Sequence, residues 1–326
     1  MDRRTACRTM ATLSSLAVAP ARAQTTRTAR IAWASISRAD PGSAFLPGFR
    51  SRIGELGWVE GRNLVFDTWW ADGSAERLKE LVPQIVASRP DVIVATGGST
   101  VSFFMDANMQ VPVAFTLSAD VVVANIVKSW SRPGVNRTGV SFFSLELIPK
   151  RLALMKEVMP SMKRVAIVGW PPHPGELLEL EAAKSATAKL GLLHHYYGVN
   201  SASELDAAFE AIALSKADAI LAFAGTIASL HADRFAAFAA RSRIPAVSAW
   251  ADFAEKGNLM TYGPVLRESF VSLAGIVDRI LKGANPADIP VEQPTRLELV
   301  INVKTAKVLG LAIPQAILVR ADRVID

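Results

Sequence analysis

The chain has 326 residues, half of which are hydrophobic, and carries a formal net charge of +6 at pH 7. This length is sufficient for one large domain or two medium ones with a sizeable core. No apolar run approaches the ~20 residues of a membrane-spanning helix, which argues against such a span. The basic residues are dispersed, without a cluster that could follow a phosphate backbone, so nucleic-acid binding is disfavoured.

The first 23 residues have the layout of a secretory signal peptide. Three arginines near the start form a positive region, residues 10–18 are mildly apolar, and an Ala-Arg-Ala cleavage motif ends at Ala23. The Arg3-Arg4 pair leaves export by the twin-arginine route open beside the general secretory route. We therefore expect cleavage after Ala23 and a periplasmic mature protein.

Removal of this segment changes the charge and the cysteine content. Four arginines and Asp2 leave with it, which takes the formal net charge from +6 to +3. Cys7, the single cysteine, also leaves, so the mature chain has no disulfide and no thiol chemistry.

From residue 30 onward, strand-like and helix-like segments alternate. Strands are predicted over residues 30–36, 63–70, 91–95 and 111–117, and helices over 45–56, 74–88 and 99–109. These strands are continuous apolar runs, which is typical of strands buried on both faces of a parallel sheet. Strands alternating with helices indicate a sheet covered by helices on both sides.

The same alternation restarts after residue 141. Helices are predicted over residues 145–159, 175–190, 203–215, 227–242 and 267–281, and strands over 164–169, 194–199, 219–223, 246–249 and 259–262. No glycine-serine or proline-rich linker separates the halves. The fold class predicted is therefore α/β, with two doubly wound parallel-sheet lobes joined by hinge strands, an arrangement suited to closure around a ligand.

Ligands of open α/β sheets bind at the carboxyl ends of strands, beside helix N-termini. The glycine loop at residues 95–100 follows a predicted strand, and its Ser99 and Thr100 offer hydroxyl and N–H groups to a carboxylate or small anion. A tight turn with an ordinary helix cap is the alternative. The loop lacks the spacing of a dinucleotide fingerprint or a P-loop.

Other strand ends supply the remaining candidates. Asp120 could pair with a ligand ammonium or simply cap a turn, and Asp252 has the same ambiguity. Trp33, Trp170 or Trp250 could contact an apolar or aromatic ligand body, although any one such residue more often belongs to the core. The predicted ligand-binding residues are Ser35, Ser37, Gly98, Ser99, Thr100, Ser118, Asp120, Trp170, Thr226, Trp250, Asp252 and Tyr262.

Catalytic and metal motifs are missing from the sequence. His194 and His195 are adjacent on a predicted strand and point to opposite faces, so they cannot chelate together. His173 lies in a proline-rich turn, where a rigid loop is the simpler interpretation, and His231 is expected on a helix surface. We therefore predict no catalytic residue, no metal site and no cofactor.

Several segments together resemble a known family. They are residues 55–63 (ELGWVEGRN), 92–98 (VIVATGG), 132–134 (RPG), 138–141 (TGVS), 150–152 (KRL), 280–286 (ILKGANP), 300–310 (VINVKTAKVLG) and 320–325 (RADRVI). The chain resembles the ABC-transporter substrate-binding family related to lipoproteins that bind tryptophan and other aromatic amino acids. The resemblance extends over the whole mature chain.

The resemblance implies a type I periplasmic-binding-protein fold. One lobe would comprise residues 29–140 plus 264–290, and the other 141–263 plus 291–326. The expected function is capture of a small molecule, an amino acid or an aromatic or apolar carboxylate, by a monomer that delivers it to an ABC permease and its ATPase at the inner membrane. The alternatives are a sensory module for a membrane signalling partner and a secreted hydrolase that uses Asp120, Asp252 or a tyrosine.

Overall fold

The computed structural model describes residues 27–39, 45–97, 100–105, 109–142 and 145–326. The predicted signal peptide lies outside these residues. Within them, the first half of the chain forms a five-stranded parallel sheet with the spatial order β2-β1-β3-β4-β5. Its strands are β1 (Ala29–Ser35), β2 (Leu64–Trp70), β3 (Val92–Thr96), β4 (Val113–Leu117) and β5 (Arg137–Ser141).

A second sheet has seven strands in the described part of the chain, with the order β12-β11-β10-β9-β8-β6-β7. All its neighbouring strands run parallel except the antiparallel pair β10–β11. They are β6 (Arg164–Gly169), β7 (Leu193–Gly198), β8 (Ala219–Ala222), β9 (Ala246–Ser248), β10 (Met260–Pro264), β11 (Leu297–Asn302) and β12 (Arg323–Ile325).

Helices cover the faces of both sheets. They are α1 (Phe45–Glu55), α2 (Ala75–Ala87), α3 (Leu147–Val158), α4 (Glu176–Lys189), α5 (Ala202–Leu214), α6 (Thr226–Leu230), α7 (Ala232–Ser242), α8 (Ala251–Glu255), α9 (Leu266–Leu281), α10 (Val303–Leu309) and α11 (Gln315–Arg320). The Ser74 hydroxyl caps α2 by accepting a hydrogen bond from the Arg77 N–H. Among the described residues, no helix is long and apolar enough to cross a membrane.

The chain passes between the two sheets more than once. Helix α9 follows β10 of the second sheet but packs against α1 and the first sheet, and the chain then returns to add β11 and β12 to the second. We call the first sheet with α1, α2 and α9 the first lobe, and the second sheet with the remaining helices the second lobe. Trp33, predicted as a possible ligand contact, lies in the first lobe's core against Phe49, Phe66 and Phe270.

Two predicted helices differ from those observed. The segment predicted as a helix over 99–109 forms only a 3-10 turn, Val101–Phe104, within its described residues, and one such turn suffices to bury both Val101 and Phe104. The helix predicted over 227–242 is broken into α6 and α7 at His231, whose backbone leaves the helical conformation. His231 is thus half-buried at a helix junction, and not on a helix surface.

Candidate ligand-binding site

The carboxyl ends of the two sheets meet. Ser118 directly follows β4 of the first lobe, whereas His173 lies in the β6–α4 loop and Ala224 just after β8 of the second. The Ser118 Oγ is 2.9 Å from the His173 Nε2 and 3.1 Å from the Ala224 carbonyl oxygen. The structure therefore has its lobes in contact along the edge where α/β proteins bind ligands. We call this contact the interlobe seam.

Apolar side chains extend the interlobe seam. Ile36 and Leu78 of the first lobe share one buried cluster with Trp170 and Ile227 of the second. Burial of apolar side chains from both lobes stabilises the closed arrangement. The seam thus behaves as a packed interface, although it joins two lobes of one chain.

The predicted hydroxyl groups of the first lobe lie at this edge and bond within it. The Ser35 hydroxyl donates to the Thr96 carbonyl at 3.4 Å and accepts from the Ser37 N–H at 3.2 Å. The Thr100 Oγ1 accepts from the Ile36 N–H at 3.0 Å. These bonds hold the β1 and β3 loops together, so the three residues shape the edge in this arrangement. Gly98 and Ser99, predicted beside them, lie outside the described residues.

Asp120 adopts the capping role that the sequence left open. Its Oδ1 accepts hydrogen bonds from the backbone N–H groups of Val122 at 2.8 Å and Val123 at 3.0 Å. The carboxylate thereby orders the turn after β4, beside the interlobe seam.

Two predicted tryptophans lie at the junction of the lobes. Trp170, after β6, is buried in the cluster shared by both lobes, and Trp250, after β9, packs against Phe142 of the first lobe. The Trp250 indole N–H is buried and has no hydrogen-bond partner among the described residues. Thr226 is buried at the start of α6, and Tyr262 is half-buried on β10. Tyr262 packs against the second lobe's own core, whereas Trp170 and Trp250 contact residues of the first lobe.

Asp252 lies in the first turn of α8, two residues after Trp250. Burial raises the pKa of its carboxyl group to about 6, and the nearby Lys256 only partly opposes this shift. A carboxylate that is costly to ionise gains most from a cation brought to it. The Asp252 carboxyl group lies largely buried just after β9.

A buried ionisable cluster in the second lobe was missed by the sequence reasoning. His173, Glu176 and Glu179 have nitrogen or carboxylate oxygen atoms within 4.8 Å of one another. The Tyr196 hydroxyl donates to the Glu176 Oε1 at 2.7 Å, and burial raises the pKa of Glu176. These three side chains have the composition of a metal site, but the buried Arg151 guanidinium interacts electrostatically with Glu179 and supplies a cation already.

Little free space remains beside this cluster in the closed arrangement. A cavity of about 10 Å³, room for about one water molecule, is lined by Trp170, His173, Glu176, Phe223 and Phe235 among others. A larger groove of about 270 Å³ lies at the chain crossings, beside Val140, Ser269 and Arg296. The cavity beside this cluster is too small for a ligand the size of an amino acid in this arrangement.

Two α/β lobes in sequence, meeting at the carboxyl ends of their parallel strands, define the type I periplasmic-binding-protein class. The chain belongs to the ABC transporter substrate-binding protein family, whose model matches residues 31–325. Both findings confirm the fold and the family expected from the sequence.

Individual proteins and solved structures are also similar to this chain. A tyrosine-binding protein of Clostridioides difficile is 22% identical over 264 residues, which are 81% of this chain and 76% of the relative. A Vibrio cholerae conserved domain protein has a solved structure with 29% identity and a TM-score of 0.85, covering 91% of this chain and 100% of that one. A Streptococcus pneumoniae ABC domain in complex with L-Trp has 26% identity and a TM-score of 0.83, with the same coverage.

Proposed function

We propose that the protein is the periplasmic solute-binding component of an ABC importer and that it binds without chemically changing its ligand. The observation that carries this proposal is the interlobe seam, formed where Ser118 meets His173 in a chain of the substrate-binding family. A ligand held between both lobes favours the closed form by its contacts there. The closed form would then be the one delivered to a permease and its ATPase in the inner membrane.

We propose further that the ligand is an amino acid with an aromatic or apolar side chain, or a related carboxylate. Trp170 and Trp250 would contact the side chain, because aromatic rings supply large apolar contact areas. Asp252 would accept hydrogen bonds from the ammonium group. The Trp250 N–H, which has no partner among the described residues, would donate to the carboxylate, together with Ser99 and Thr100 as the sequence predicts. Relatives that bind tyrosine or are complexed with L-Trp support this choice.

The magnitudes are consistent with this assignment. Micromolar affinity requires about 8 kcal/mol. Two or three charge-assisted hydrogen bonds contribute about 1.5–3 kcal/mol each, and one buried aromatic group contributes about 1.5–3 kcal/mol. Their sum is of the required order before the entropic cost of ordering the site is subtracted. No catalytic step is needed to explain these residues.

The first experiment is a binding screen on the purified protein. L-tryptophan, L-tyrosine, L-phenylalanine, indole-3-acetate, D-tryptophan and D-glucose would be compared by intrinsic tryptophan fluorescence and by melting temperature. A ligand at a hundred times its Kd stabilises by about 2.7 kcal/mol, which gives a clear shift. Saturable shifts with aromatic L-amino acids, recovered unchanged, support the proposal. Binding confined to D-glucose or conversion of any compound would contradict it.

A further inference from the structure

Ser118 is positioned so that, among the described residues, its hydroxyl group bonds to the opposite lobe. The residue belongs to the first lobe and is 2% exposed. Among the described residues, its hydroxyl group forms hydrogen bonds to the His173 ring and to the Ala224 carbonyl, both in the second lobe. These two bonds can form only while the lobes are together, so they are specific to the closed form.

The hydrogen bonds define which nitrogen of His173 carries the proton. The Gly175 N–H donates to the His173 Nδ1 at 3.2 Å, so this nitrogen must hold a lone pair. The proton of the neutral ring is therefore on Nε2, which donates to the Ser118 Oγ. The single hydroxyl hydrogen of Ser118 is then donated to the Ala224 carbonyl. In this series of hydrogen bonds from Gly175 to Ala224, every donor has an acceptor and no group carries a formal charge.

Gly175 lies at the same contact between the lobes. A Cβ atom at this position would be 2.5 Å from the Ala119 Cβ of the first lobe. The backbone φ of Gly175 is −98°, which any residue adopts without strain. The absence of a side chain is thus required by the neighbouring lobe, and not by the local backbone.

We propose that Ser118, His173 and Gly175 form a latch that holds the closed form, and that Ser118, predicted from the sequence as a ligand contact, acts with His173 as a positioning residue for closure. Hydrogen bonds between uncharged groups contribute little net free energy each, so such a latch opens readily to admit and release a ligand. The effect of the latch on ligand affinity rests on the proposed binding function, whereas its effect on the opening of the lobes does not.

The test uses the purified protein and two ways of disturbing the latch. Ser118→Ala removes both interlobe hydrogen bonds, and Gly175→Ala inserts a methyl group against Ala119. Gly275→Ala, in α9 with no atom within 4 Å of an added Cβ, is the matched control. A further pair compares His173→Gln, which keeps an N–H donor, with His173→Leu, which has none.

The first readout is the radius of gyration, measured by small-angle X-ray scattering without ligand and with saturating L-tryptophan or L-tyrosine. We expect Ser118→Ala, Gly175→Ala and His173→Leu to be more open without ligand, whereas Gly275→Ala matches the wild type. His173→Gln should restore part of the closed population. The melting temperature of each variant checks that both lobes remain folded.

The second readout is affinity for the same amino acids. A lower closed population weakens apparent affinity in proportion, and we expect a loss of about tenfold in Ser118→Ala and about tenfold to a hundredfold in Gly175→Ala. Unchanged scattering and affinity in both variants would overturn the latch. If the wild type binds no aromatic amino acid, the proposed ligand class fails, but the ligand-free scattering still decides the latch.

Discussion

The Trp250 ring of the second lobe lies edge-on against the Phe142 ring of the first, with centroids 5.9 Å apart and planes at 75°. Separation of the lobes would therefore break this ring contact. Trp250 is also a proposed ligand contact. We expect Trp250→Leu to lower L-tryptophan affinity by about 1.5–3 kcal/mol, which is roughly ten- to a hundredfold. Isothermal titration calorimetry measures this loss directly.

Trp58 offers the matched control for that substitution. Its indole N–H donates to the Asp278 Oδ1 at 2.9 Å, and its ring packs on the first lobe's core. Trp58→Leu should lower the melting temperature while leaving affinity close to the wild-type value. Equal affinity losses in both variants would indicate general destabilisation and remove Trp250 from the site.

His173 makes the stability of the closed fold depend on pH. An unperturbed histidine has a pKa of about 6.5, and burial lowers the pKa of His173 to about 4. Between these values the folded protein binds fewer protons than the unfolded chain, so the free energy of unfolding falls as pH falls. The contribution of His173 to the free energy of unfolding is fully present above about pH 6.5 and decreases by roughly 3 kcal/mol as the pH falls to 4.

Neighbouring carboxyl groups require a differential measurement. Glu176 and Glu179 face His173, and burial raises the pKa of Glu176, which makes its own contribution decrease as pH rises. Urea unfolding of the wild type and His173→Gln at pH 7.5 and 4.5 isolates the histidine. We expect the wild type to lose more free energy of unfolding on acidification. Parallel losses in both proteins would contradict the assignment.

Much of the fold could be predicted because several of its strands, such as β3, β4, β6 and β8, are continuous apolar runs. The strand predicted at 164–169 is observed as β6 at the same residues. In contrast, β5 (Arg137–Ser141) has the composition Arg-Thr-Gly-Val-Ser and no apolar run. It pairs with β4 because of close backbone approach, which leaves no signal of period or composition in a single sequence.

The edge at which the proposed site lies was predictable, but the bonding of its side chains was not. The sequence placed Ser35 and Thr100 at strand ends, where the structure has them, yet their hydroxyl bonds depend on loop geometry. Ser118 and His173 are 55 residues apart and belong to different lobes. Only the meeting of the lobes converts His173 from a turn residue into an interlobe contact.

The buried Arg151 gives a third prediction. Burial lowers the pKa of its guanidinium to about 10, and Glu179 opposes that shift. Arg151→Met would leave the buried Glu179 charge without its cation, and we expect a loss of about 3–5 kcal/mol in the free energy of unfolding. Arg151→Met combined with Glu179→Gln should recover part of it, because the uncompensated charge is then removed.

The exposed ion pair of Arg320 and Glu157 provides the comparison for the buried Arg151. The Arg320 Nη1 is 2.8 Å from the Glu157 Oε2, with both side chains about two-fifths exposed to solvent. Surface pairs contribute about 0–1 kcal/mol, so Arg320→Met should change the free energy of unfolding by less than about 1 kcal/mol. Similar losses for Arg151→Met and Arg320→Met in urea unfolding would show that burial of the Arg151 charge is unimportant.

Gly139 tests the pairing of β4 with β5, on which the position of Ser118 depends. A Cβ at Gly139 would lie 2.1 Å from the Phe115 carbonyl oxygen and 2.7 Å from the Phe115 nitrogen. Backbone atoms within a sheet cannot move aside as a flexible side chain can. We expect Gly139→Ala to lower the free energy of unfolding by more than about 3 kcal/mol.

At Gly54, in the same lobe, we expect substitution by alanine to stabilise the protein. It lies inside α1, and no atom is within 4 Å of an added Cβ. Alanine is favoured over glycine in a helix interior by about 0.5–1 kcal/mol, so Gly54→Ala should raise the melting temperature slightly. If Gly139→Ala were as stable as Gly54→Ala, β5 could not lie against Phe115 as described. The strand end that carries Ser118 to the interlobe seam would then need a different register.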